Sequence, residues 1–117
     1  MAGNRLTARV NLNTAGLKAL QRQVPDLAQK AVDATALFIE SGAKELSQVD
    51  TGRQRASIAA TLGMPGTRAQ VGVYVDYAIY NEFGSRGRPA RPFLFPAAEA
   101  ERQRFIERLK AVFSGKL

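Results

Sequence analysis

The stretch from Asp26 to Ser47 constrains this chain more than any other. Asp26, Lys30, Asp33, Glu40 and Lys44 fall along one stripe at helical spacing, with oppositely charged neighbours three or four positions apart. That stripe reads as a solvated face. The rest of the helix is apolar over more than half its circumference, through Leu27, Ala28, Ala31, Val32, Ala34, Phe38, Ile39, Ala43 and Leu46. A single core-facing stripe needs less. Two arrangements accommodate the excess: a helix buried between two layers of its own domain, or one with a face on the core and another on a neighbouring subunit. Gly42 costs about 1 kcal/mol relative to alanine inside a helix, and its place in the apolar arc permits close backbone approach. The carboxylates Asp26, Asp33 and Glu40 stand seven residues apart, about 10 Å along the axis, which is too far for one metal or acid–base cluster.

Shorter patterns flank this helix. From Arg5 to Leu12 apolar and polar residues alternate as in a half-buried strand, and Asn13 can cap a short helix through Leu17 and Leu20 that ends near Pro25. After a loop at Val49 to Arg53, Ser57 to Leu62 and Arg68 to Val75 alternate again, with Ile58, Ala60 and Leu62 on one side of the first and Val71, Val73 and Val75 on one side of the second. Pro65-Gly66 between them suits the centre of a type II turn, so the pair reads as a β-hairpin. A helical turn is expected over Ala78 to Phe83, ended by Gly84, followed by an extended arginine-rich loop to Phe93. Pro96 fits the first turn of a last helix whose dipole Glu99 and Glu101 early, and Arg108 and Lys110 late, would match. The apolar face of that helix is read as Ala98, Phe105, Ile106, Leu109, Val112 and Phe113. This order predicts one α+β domain over residues 1–117. Its small antiparallel sheet has three to four strands, with the long helix and the C-terminal helix packed on one face.

The chain has no cysteine and no histidine, which removes disulfides, thiolate metal sites and the usual neutral-pH proton shuttle. No serine has a visible base beside it, and Gly84-Ser85-Arg86-Gly87 lacks the lysine and following helix of a phosphate loop. We therefore expect no catalytic residue, metal or cofactor. No run approaches the length of a membrane span and the N-terminus has no apolar leader, so the expected compartment is a reducing cytosol. The net charge is +7, and its one cluster is Arg86, Arg88 and Arg91. Tyr74, Tyr77, Tyr80 and Phe83 could stack nucleic-acid bases, although aromatic residues on a strand and short turn are more often core.

Three segments make unusual local demands. In Val49-Asp50-Thr51-Gly52-Arg53, Asp50 or Thr51 can cap a following turn and Gly52 relaxes the backbone. Tyr77-Ala78-Ile79-Tyr80-Asn81-Glu82-Phe83-Gly84 sets one carboxylate among aromatics. Ala90-Arg91-Pro92-Phe93-Leu94-Phe95-Pro96-Ala97 frames an apolar cluster with two prolines. In that order and spacing they resemble the tailed-bacteriophage neck and tail-component family, which includes tail-completion proteins. The carriers are Asp50-Thr51-Gly52-Arg53 with Ala56-Ser57-Ile58, then Tyr77-Ala78 with Glu82-Phe83-Gly84, then Arg91-Pro92-Phe93-Leu94 with Pro96-Ala97. The chain departs from that pattern at Gln54, where such proteins tend to be apolar, at Asn81, and at Phe95, where a basic residue is common.

The resemblance implies a structural virion or prophage protein made in the host cytoplasm. It implies a closed homo-oligomeric ring, hexameric or dodecameric, in the neck between DNA-filled head and tail, with other neck and tail proteins as partners. Within such a ring Arg86, Arg88 and Arg91, with Phe93 and Phe95, would meet DNA phosphates or a neighbouring subunit. The alternative from charge alone is a small basic domain that binds nucleic acid without sequence preference. We expect Glu82 to accept hydrogen bonds from backbone N–H groups or from an arginine of the same or an adjacent subunit.

Overall fold

The computed structural model describes residues 6–8, 15–47, 52–75, 77–87 and 89–113, without the side chains of 8 and 109–113. Several sequence readings lie outside the described residues: the flanks of the first strand, the Asn13 cap, Asp50, Thr51, Arg88, and the side chains of Leu109, Lys110, Val112 and Phe113.

The chain is α+β. A three-stranded antiparallel sheet is built from β1 (Leu6–Ala8), β2 (Ile58–Met64) and β3 (Arg68–Val73) in the order β1-β3-β2, with Leu6 and Ile58 both opposite Val73. Helix α1 (Ala15–Gln23) leads through Val24 into α2 (Pro25–Leu46), with the proline in the first turn, where its missing N–H costs nothing. A six-residue helix, α3 (Gly52–Ser57), occupies the segment before β2, and α4 (Ala78–Phe83) and α5 (Leu94–Phe113) follow β3.

The face of α2 carrying Ala36, Ile39 and Ala43 packs with Leu6, Ile58, Val71 and Val73 of the sheet and with Phe93, Leu94, Ala97 and Ala98 around the start of α5. A second cluster joins Leu17 and Leu20 of α1 to Ala28, Val32 and Phe105. Gly42 serves the close approach anticipated for it: a Cβ there would stand 3.4 Å from that of Ala97.

The charged stripe of α2 is not simply a solvated face. Asp26 and Lys30 are exposed, but Asp33 and Glu40 are half-buried against β2, one of the sheet's two edge strands. The Ala60 N–H donates to Glu40 Oε2 at 2.7 Å and the Gly63 N–H to Asp33 Oδ1 at 3.0 Å. Unpaired edge groups invite pairing with another chain, and these two carboxylates occupy them. Periodicity placed the residues on one face without revealing what lay opposite.

The hairpin forms as expected but its loop is longer. Gly66 has φ 83°, as a type II turn requires, and Thr67 adds a second left-handed residue at φ 57°. The register slips between Thr61 and Met64, and Leu62, expected on the buried side with Ile58, is exposed. A β-branched residue at positive φ costs about 1–2 kcal/mol, of which glycine's greater unfolded-state freedom offsets part. Thr67→Gly should therefore raise stability by about 0.5–1 kcal/mol in urea titration. A lower midpoint would show that the Thr67 side chain stabilises the turn.

Candidate functional site

Two of the three segments singled out in the sequence meet in one joint, and Gln54, the residue after the first segment, is bonded to it. Its centre is Glu82, on α4 and only 4% exposed. The Phe93 and Leu94 N–H groups donate to its Oε1 at 3.0 and 2.9 Å, and the Phe95 N–H donates to Oε2 at 3.0 Å. A helix leaves four N–H groups at its start without intrahelical partners. For α5 these belong to Phe93, Leu94, Phe95 and Pro96; Glu82 takes three and proline has none. The backbone donors are one of the two partner sets anticipated for this carboxylate.

The same geometry corrects the reading of α5. It starts at Leu94, so Glu99 and Glu101 lie beyond its first turn, and the negative charge at its N-terminus comes from Glu82 on another element. Glu101 is buried and pairs with Arg104 at 2.6 Å and Arg108 at 3.0 Å.

Asn81 ties the joint to Gln54, the residue after the first segment. Its carbonyl accepts the Arg91 N–H at 2.7 Å, and its Nδ2 donates to Gln54 Oε1 at 2.7 Å. Gln54, fully buried on α3, donates in turn to Ser47 Oγ at 2.9 Å. Two departures from the family pattern, Gln54 and Asn81, are thus hydrogen-bonded to each other. Ser57 completes the connection: its hydroxyl donates to the Gln54 carbonyl at 2.8 Å and accepts the Tyr74 N–H at 3.2 Å.

This joint pins both ends of the arginine loop. Asn81 and Glu82 hold residues 91–95, Gly84 closes α4 at φ 82°, and Gly87 turns the loop at φ 79°. Arg86 and Arg91 are exposed on it. Phe93, expected among the contact residues, is instead core at 1% exposure, because the extended chain after Pro92 turns it inward. Phe95 is exposed and its ring lies 5.7 Å from that of Phe83. Tyr74, Tyr80 and Phe83 are also exposed, contrary to the core reading, whereas Tyr77 packs partly against the core beside fully buried Ala78. Arg53 and Pro92 are exposed. Gly52 needs no glycine within this chain, since its φ is not positive and an added Cβ would meet no atom within 4 Å.

What this arrangement does chemically is anchor the chain that follows a basic loop, through residues 91 and 93–95. Among the described residues no cluster of acidic side chains could hold a metal ion, and no helix is long and apolar enough to cross a membrane. No curated relative and no solved structure matches the chain. A family model described as "Bacteriophage HK97-gp10, putative tail-component" matches residues 14–84, from the start of α1 to the glycine that closes α4. The matched stretch carries the first two motif segments and the whole of the hairpin. It spans well over half of the 117 residues, and the chain therefore belongs to the HK97-gp10-like family of phage tail components.

Proposed function

We propose that this tail component is the protomer of a closed homo-oligomeric ring in the neck of a tailed phage, joining the DNA-filled head to the tail. It is a structural part of the virion rather than an enzyme. The observation that carries this reading is the pinned arginine loop on a chain of this family: Arg86 and Arg91 stand exposed on a segment whose ends are fixed by Asn81 and Glu82. Repeated around a ring, such loops line a basic channel or meet a neighbour's carboxylates. Particles assembled without this protein should accumulate as filled heads and free tails. A normal yield of joined particles would contradict the reading.

A second reading, a non-specific nucleic-acid-binding domain, draws on the exposed rings of Tyr80 and Phe83 beside the same loop. The two readings differ in magnitude. Three phosphate contacts per protomer give a salt slope of about −2.7 on duplex DNA, which is weak binding for a monomer. Replacing Arg86, Arg88 and Arg91 together by alanine should flatten that slope while the circular dichroism spectrum stays unchanged. Binding with an undiminished slope would remove the loop from any DNA contact.

A further inference from the structure

We propose that β2 is a latent pairing edge for the β2 strand of a second copy, and that Asp33 and Glu40 of α2 hold it shut. The inference goes beyond the ring reading and does not rest on it. It concerns a contact that assembly has to avoid, whichever surfaces the copies use.

Backbone direction makes β2 an edge. In the sheet order β1-β3-β2 only β3 lies beside it, so the Ala60 N–H, which donates to Glu40, points away from the ladder. The strand itself carries few of the features that deter pairing. Ile58–Met64 contains no charged residue and no proline, and Ala59, Thr61 and Leu62 are exposed. The register slip between Thr61 and Met64 disturbs only its far end. A seven-residue uncharged edge strand is where a sheet invites another chain to add to it.

The deterrent stands on α2, and it is held in position. Gln29 Nε2 donates to Asp33 Oδ1 at 2.8 Å, and Lys44 Nζ lies 3.3 Å from Glu40 Oε1, which leaves Oε2 to take the Ala60 N–H at 2.7 Å. Asp33 Oδ1 also accepts the Gly63 N–H at 3.0 Å, so the two contacts cover the regular part of β2 and the slip. Both carboxylates thus sit where a neighbouring strand's carbonyl oxygens would have to come. An incoming strand meets negative oxygen instead of a free donor.

The absence of charge on the strand favours a second copy as the occupant. The chain carries a net charge of +7, yet two β2 strands meet without any like-charge contact between them. Antiparallel pairing about a two-fold axis would join two three-stranded sheets into one. Such a contact closes as a dimer, and would divert copies from any larger closed assembly.

The test is the double variant Asp33→Ala with Glu40→Ala, compared with the unaltered chain by light scattering and by hydrogen exchange of single amides. The freed Ala60 and Gly63 N–H groups are part-buried and exposed, so water can take them and the variant should fold. Its self-association should be about 10- to 100-fold stronger than that of the unaltered chain, the gain expected of a few hydrogen bonds between copies. The Ala60 amide should exchange faster than in the unaltered chain when dilute, and become protected as the concentration rises. Adding Ala60→Pro removes the outward N–H without touching the β2–β3 ladder, and should return self-association to the unaltered level. Leu62→Lys does the same by charge should the proline disturb the fold. Self-association no stronger than that of the unaltered chain would overturn the proposal. So would a gain that leaves the Ala60 amide unprotected, or one that survives both Ala60→Pro and Leu62→Lys. An unaltered chain that stays monomeric at every concentration would remove the ring reading and leave this comparison intact.

Discussion

Glu82→Ala is expected to lower stability by about 3–5 kcal/mol, a large share of the 5–15 kcal/mol typical of a folded domain. Three N–H groups at the start of α5 lose their acceptor at once, and two of them, from Phe93 and Leu94, are buried. Each buried donor left unpaired costs about 1–3 kcal/mol, and water can reach only the part-buried Phe95 N–H easily. Glu82→Gln keeps one carbonyl oxygen for two of the donors but turns an amide nitrogen toward the third, so its cost should be smaller, about 1–2 kcal/mol. Urea titration reads this as midpoints falling in the order wild type, glutamine, alanine with an unchanged slope. Glu82→Ala within about 0.5 kcal/mol of wild type would mean that the carboxylate does not carry the helix start, since surface-like substitutions lie in that range.

The second large effect is expected at Gln54. Its side chain is fully buried and exchanges hydrogen bonds with Ser47 and Asn81. Gln54→Leu leaves both partners short of a bond and should cost about 2–3 kcal/mol, although the family pattern favours an apolar residue there. Asn81→Ala alone should cost less, because Asn81 is half-buried. The double variant removes both ends of one bond, so the two losses should fall short of additive by about 1–2 kcal/mol. Additivity within about 0.5 kcal/mol would show that the two departures from the pattern are independent.

Much of the fold was legible in residue spacing. The apolar arc of α2 announced a long helix with more buried-type surface than one core needs, and Leu27, Phe38 and Leu46 are indeed left exposed. Alternation around Pro65-Gly66 gave the hairpin, because a period of two and a turn pair are local signals. What spacing could not give was partnership between distant segments. Asp33 and Glu40 looked solvated because nothing local shows that β2 lies against them. Phe93 and Phe95 look alike in sequence, yet α5 begins between them, and the helix start sends one inward and the other out. The motif segments were recognised separately, and what joins the last two to each other and to Gln54 is a set of bonds from Asn81 and Glu82 that span 11 to 27 residues.

Mass in solution tests the central claim, that this domain is built to assemble with copies of itself. Light scattering after size exclusion, over a rising concentration series of the purified chain, compares each species with the 12.7 kDa protomer. A closed ring predicts one discrete species at a fixed whole multiple of that mass, growing at the expense of the monomer without intermediate sizes. A mass of 12.7 kDa at every concentration would contradict it.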